Sequence, residues 1–217
     1  DQFYQRMTQG ASTATSQINP EEYAEYFAGF LKEGKDVLHL CLSSGITSTM
    51  NSALIARDML AEQYPDRQIL ILDSLAASSG YGLLMDRLAD LRDEGQSIQQ
   101  IYQWAADHRL EVHHWFFTSD LTFFIRGGRI SKTAGFIGGV LNICPLLNVD
   151  NQGRLIPRYK IRTKRKVIQA IVDKMEENAW DGRDYTGKCY ISHSACLDHA
   201  KAVARLVEER LPHLNGH

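Results

Sequence analysis

Two short apolar runs, each followed by a helical pattern, constrain this chain most. Residues 36–42 (DVLHLCL) and 68–73 (QILILD) are almost continuously apolar and bounded by polar residues. Such runs mark strands covered on both faces, because alternation appears only when one face meets water. After the first run, Ala53, Leu54, Ile55, Met59 and Leu60 recur at helical spacing; after the second, residues 76–95 do so despite Gly80 and Gly82. Ahead of both, Asn19-Pro20-Glu21-Glu22 reads as a helix start, with Asn as cap, Pro in the first position and an acid three residues on. Tyr23, Tyr26, Phe27, Phe30 and Leu31 share one face of that helix, and Gly34 stops it. Ser97 with Gln100 opens a further helix to about His108. Strands alternating with helices predict an α/β domain built on a parallel sheet, over residues 1–110.

The pattern changes after residue 110. Residues 111–118 (EVHHWFFT) read as an aromatic strand, 121–125 as an apolar turn leading into Arg126-Gly127-Gly128-Arg129, and 130–141 as a glycine-interrupted helix. Residues 143–149 and 155–161, joined by Asp150-Asn151-Gln152-Gly153, read as a hairpin. A helix over 164–178, a strand over 188–193 and a helix over 195–211 complete the chain. Antiparallel strands with helices predict a second, α+β domain over residues 111–217.

The composition excludes several classes. A net charge of −2 leaves no general nucleic-acid binder. No apolar run approaches the ~18 residues of a membrane span. The start, DQFYQRMTQG, lacks the apolar segment of a signal peptide. Four scattered cysteines, two of them (Cys41 and Cys144) in apolar runs, fit a reducing cytoplasm better than a disulfide framework.

The chemistry concentrates where the first strand meets its helix. Ser43, Ser44, Thr47, Ser48 and Thr49 crowd that junction around Gly45. A helix start leaves backbone N–H groups without partners and favours negative charge, and hydroxyls add neutral donors, so the junction suits a carboxylate or phosphate. Capping of the helix by Ser44 or Thr47 is the plainer reading. Asp73-Ser74, at the end of the second strand, lies where ligands of open α/β sheets sit, although capping explains it as well. Gly127-Gly128-Arg129 fits either a tight turn or a phosphate cradle. Cys189, His193, Cys196 and His199 match no standard zinc spacing, so no metal or other cofactor is expected. His113 and His114, adjacent on a strand, point to opposite faces and do not chelate together. Lys160, Arg162, Lys164, Arg165 and Lys166 form a basic cluster in which Lys160 and Arg162 share a strand face, available to an acidic partner. No G-x-S-x-G, G-x-x-x-x-G-K-[ST] or G-x-G-x-x-G motif is present.

Taken in order, T-S-Q (15–17), L-S-S-G-I-T-S-T-M-N-S-A (42–53), D-S-x-x-A-S-x-G (73–80), G-G-R-I-S (127–131) and K-x-R-x-x-x-K (160–166) resemble the DegV family of bacterial fatty-acid-binding proteins. The resemblance implies a Rossmann-like α/β domain followed by an α+β domain, with a long-chain fatty acid in a tunnel between them. It implies that Thr15, Ser43, Ser44 and Thr47 hold the carboxylate. Some members present the acid to a fatty acid kinase that makes acyl phosphate for phospholipid synthesis. By that analogy the chain is a cytoplasmic carrier without catalytic residues, and Arg129, Lys160 and Arg162 face the kinase. Phe116, Phe123, Phe124, Phe136 and Ile137 are candidates for lining the tail, with core packing the alternative for each.

The chain departs from the family pattern at Ser48, which stands where a glycine is usual and narrows the loop. A first strand carrying a D-S-S/T-like motif and a closing Gly-rich segment with a His are also expected of the family. Their absence implies either a trimmed chain or an incomplete sheet and head-group site. Two rival readings fit the same residues. One is an enzyme for a small carboxylated or phosphorylated metabolite at the same junction, with Asp73 or His39 as acid/base. The other is an interaction module acting through residues 160–166.

Overall fold

The computed structural model describes residues 2–131 and 143–215. In chain order the elements are α1 (Gln2–Thr8), α2 (Pro20–Lys32), β1 (Val37–Cys41), α3 (Thr49–Ala61), β2 (Ile69–Asp73), α4 (Ser78–Asp93), α5 (Ile98–His108), β3 (Trp115–Phe117), α6 (Thr122–Arg126), β4 (Ile143–Val149), β5 (Leu155–Arg162), α7 (Lys164–Asn178) and α8 (Leu197–Arg210). They divide into two compact units that are not consecutive halves of the sequence. One holds residues 16–112 and the turn 151–154; the other holds residues 1–15, 113–150 and 155–217.

In the first unit β1 and β2 pair in parallel, Val37 opposite Ile69 and Cys41 opposite Asp73. Helices cover both faces, which is why each strand is apolar on both sides. On one face α2 and α3 pack Tyr23, Phe27, Leu31, Ala53, Ala56 and Leu60 against Cys41 and Ile71. On the other, Leu84, Leu88 and Leu91 of α4 and Ile101 and Ala105 of α5 pack against Leu40 and Leu72. The helix ends follow the sequence signals. Asn19 and Glu22 form a reciprocal capping box, as do Ser97 and Gln100. Gly34 takes φ +75 just beyond α2 and donates to the Leu31 carbonyl, a geometry that costs glycine least.

The second unit is built on an antiparallel sheet of order β3-β4-β5. One face of the sheet carries Cys144 and Leu146 with Trp115, Phe117 and Ile161, and Val167 of α7 packs against it. Val172 of α7 and Val203, Val207 and Leu211 of α8 extend that layer. The opposite face carries Leu147 with Leu121 and Ile130, and Phe116, Phe124, Ile125 and Leu155 around them. A bulge at Leu146/Leu147 leaves Arg158 without an opposite residue, and its Nε turns to Asn148 Oδ1 at 2.7 Å. Arg210 of α8 grips Glu176 of α7 through two bonds of 2.6 Å and Asp173 through one of 2.7 Å.

Several expectations change. Residues 188–193, expected as a strand, are not assigned to one, and Tyr190 and Ile191 are 43% and 41% exposed. The strand expected over 111–118 is only Trp115–Phe117, preceded by a single 3₁₀ turn at Arg109–Glu111. Residues expected as an apolar turn form the short helix α6, and α1 has no counterpart among the expectations. The helix expected over 130–141 lies almost wholly outside the described residues, as do Phe136 and Ile137.

Candidate functional site

The hydroxyl-rich junction is the loop between β1 and α3, and its hydroxyls divide by role. Ser43 is fully buried. Its Oγ donates to the Gly153 carbonyl at 2.7 Å and accepts the Gly45 N–H at 3.1 Å. A serine has one proton to give, and here it is directed at Gly153. Ser44 is exposed, and its backbone N–H, not its hydroxyl, is engaged, donating to Asp73 Oδ1 at 3.1 Å. Thr47 Oγ1 lies 2.8 Å from Thr49 Oγ1 and accepts the Thr49 N–H at a long 3.4 Å.

The expected capping of the helix by Ser44 or Thr47 is not found. The N-cap residue of α3 is Ser48, and it makes no side-chain cap. Its hydroxyl donates instead to Gln17 Oε1 at 2.6 Å. The start of this 13-residue helix therefore carries hydroxyls and N–H groups whose bonding is weakly met by side chains, the arrangement that favours an anion.

Asp73 braces the junction from beneath. Besides Ser44 N–H, its Oδ1 accepts the Leu75 N–H at 3.0 Å, and Arg109 Nη1 donates to its backbone carbonyl at 2.5 Å. The Asp73 Oδ1, shared by two backbone donors, acts as a structural acceptor. Burial, with the Asp73 charge adding to it, pushes the neighbouring Cys41 thiol up to about 12. His39, the other acid/base candidate, packs against the rings of Tyr23 and Phe27 at 5.1 and 5.3 Å, and burial pulls its pKa down.

In the other unit the structure joins two candidates that the sequence kept in different roles. Arg129 Nη2 donates to Thr15 Oγ1 at 3.3 Å, while its Nη1 donates to the Gly127 carbonyl. Lys160 and Arg162, both exposed, stand opposite Pro145 and Ile143 and so share one face of β5. The Phe116 and Phe124 rings lie 5.7 Å apart, tilted by 36°, within an apolar cluster, and Phe123 is half-buried. Among the described residues no three His, Cys, Asp or Glu side chains are placed to hold a metal ion, and all four cysteines are free thiols. No described helix is long and apolar enough to cross a membrane.

Sequence reasoning missed Gly153, Gln152 and Arg109. The turn 150–153 announced itself as a turn, but nothing local says what a turn packs against.

Comparison with known proteins adds an independent line. Residues 1–216 match the model of a family described as "Uncharacterised protein, DegV family". A DegV domain-containing protein of Clostridium perfringens is 36% identical over 210 residues, 97% of this chain and 72% of the relative. A solved structure concerned with fatty acid binding of a DegV family protein from Thermus thermophilus superposes with a TM-score of 0.76 at 28% identity, over 95% of this chain and 71% of that one. The Streptococcus pneumoniae Fatty Acid Kinase (Fak) B3 protein, loaded with linoleic acid, shares the fold with a TM-score of 0.87 at 23% identity, over 99% of this chain and 74% of that one. The chain spans 58% to 72% of the length of the first curated relatives. The chain belongs to the DegV family.

Proposed function

We propose that this protein is a cytoplasmic carrier that binds a long-chain fatty acid and offers its carboxylate to a fatty acid kinase for phospholipid synthesis. The observation that carries this reading is the start of α3, where the Thr47 hydroxyl adjoins a helix end without a side-chain cap and the exposed Ser44 stands in the loop leading into it. The fatty acids bound by the Thermus and Streptococcus proteins support it. The energetics are coherent. Burying an acyl chain contributes about 0.8 kcal/mol per methylene, on the order of 10 kcal/mol for a long chain. Burying the carboxylate costs several kcal/mol unless it is hydrogen-bonded. Charge-assisted bonds return roughly 1.5–3 kcal/mol each, so two hydroxyls and a helix end offset that cost.

In this reading Ser44 and Thr47 donate to the carboxylate and Ser43 shapes the loop they stand on. Thr15, with Arg129 on its hydroxyl, is the second head-group candidate. Lys160 and Arg162 form the kinase-facing surface, and Arg129 belongs to it if Thr15 does not hold the acid. The carrier has no catalytic step of its own. Mass spectrometry of an organic extract should find a long-chain fatty acid in the purified protein. Replacing Thr15 and Thr47 together by valine should weaken palmitate binding while the fold survives; equal binding by the double variant and the wild type would refute the head-group assignment.

A further inference from the structure

The turn 151–154 joins β4 to β5 yet belongs to the unit that contains the hydroxyl junction. Its approach to that junction is closer than side chains allow. A Cβ at Gly153 would fall 1.9 Å from Ser43 Oγ and 3.2 Å from Leu75 Cα, and Gly153 already takes φ +71. A Cβ at Gly45 would fall 2.5 Å from the Gln152 carbonyl oxygen and 2.7 Å from the Gly153 carbonyl. Two glycines 108 positions apart thus let two backbones touch, and the buried Ser43–Gly153 bond of 2.7 Å closes the contact.

From this geometry we infer that the turn is a positioning element for the head-group site, with Gly153 and Ser43 its two working residues. The inference rests on the proposed function, because it assumes that Ser44 and Thr47 receive a carboxylate. The turn takes the only proton of Ser43 and holds the loop from one side. Asp73 holds the same loop from the other through the Ser44 N–H. Held on both sides, the loop keeps Ser44 and Thr47 at a fixed angle to the first turn of α3, and hydrogen bonds to an anion depend steeply on angle. Ser43 therefore acts through its neighbours and does not itself donate to the ligand.

The test separates head-group recognition from tail burial. Palmitic acid and methyl palmitate are each competed against a fluorescent fatty-acid probe on the wild type, Ser43→Ala and Gly153→Ala, with folding checked by circular dichroism. The ester buries the same tail but carries no charge. The wild type should prefer the acid. Both variants should lose that preference by about tenfold or more, the worth of one charge-assisted bond, with ester affinity unchanged. Should Gly153→Ala not fold, Ser43→Ala, which adds no atom, decides alone. Variants that keep the wild-type preference overturn the positioning role and leave the carrier reading standing. A wild type without any preference for the acid overturns the head-group reading, and this inference with it.

Discussion

The Asp73 carboxylate reaches from the end of β2 to the Ser44 backbone N–H at 3.1 Å, tying two neighbouring strand ends together at the one loop rich in hydroxyls. The same oxygen holds Leu75 N–H, and Leu75 is a non-glycine residue at φ +51. One acceptor thus supports both a strained turn and the candidate anion site.

Asp73→Ala should therefore destabilise the protein by about 1–3 kcal/mol, because two partly buried donors lose their acceptor. Asp73→Asn retains an Oδ1 acceptor and should cost less. Urea denaturation at neutral pH measures both, and fatty-acid affinity should follow the same order. Catalytic turnover by the isolated protein, abolished in Asp73→Asn, would instead favour an enzyme.

Stability should fall below neutral pH in part through His39. Its ring packs against Tyr23 and Phe27, Nε2 has no hydrogen-bond partner among the described residues, and burial lowers its pKa. Above the ordinary value of 6.5 it is neutral whether folded or unfolded, and contributes no slope. Below that value the unfolded chain takes up the proton first, so folding weakens by at most about 1.4 kcal/mol per pH unit until the folded state also protonates. Denaturant midpoints at pH 7.5 and 5.5 should separate more for the wild type than for His39→Leu. Burial lowers His113 in the same direction, so part of the slope should remain.

The fork between Arg210 and Glu176 gives a second, more acidic limb. The Arg210 bond, ahead of other causes, holds the Glu176 carboxyl below its ordinary 4.5. That contribution is fully present above 4.5 and is lost as pH falls through the lowered value. Arg210→Lys keeps the charge but not the two-point geometry. It should lower stability by about 1–2 kcal/mol at pH 7, and flatten the acid limb in a thermal-melt series.

Reversing Lys160 and Arg162 to glutamate should abolish association with a fatty acid kinase and leave fatty-acid affinity within about twofold, since exposed charges on β5 act over a Debye length of about 10 Å at most. Binding of kinase and of lipid to the same preparation checks this. Retained kinase binding would place the partner surface elsewhere.

What the sequence made legible was whatever depends on near neighbours. The capping boxes at Asn19 and Ser97, the stop at Gly34, the hairpin around residues 150–153 and the helix over 164–178 all follow from residues within a few positions of one another. The apolar runs identified β1 and β2, and the ordered motifs identified the family. Residues 188–193 show the limit: the run Cys189-Tyr190-Ile191 suits a strand by composition, but whether a segment becomes a strand is decided by tertiary context that local composition does not name.

The sequence alone determined that hydroxyls would gather where β1 meets α3, because strand, glycine and helix start are adjacent along the chain. Only the tertiary structure decided what each hydroxyl does. Ser43 is spent on a carbonyl 110 residues away, Ser44 leans on Asp73 through its backbone, and Ser48 turns to Gln17 in place of capping its helix. Hydrogen bonds extend only about 3 Å, so their partners are set by whichever segments folding brings within that distance.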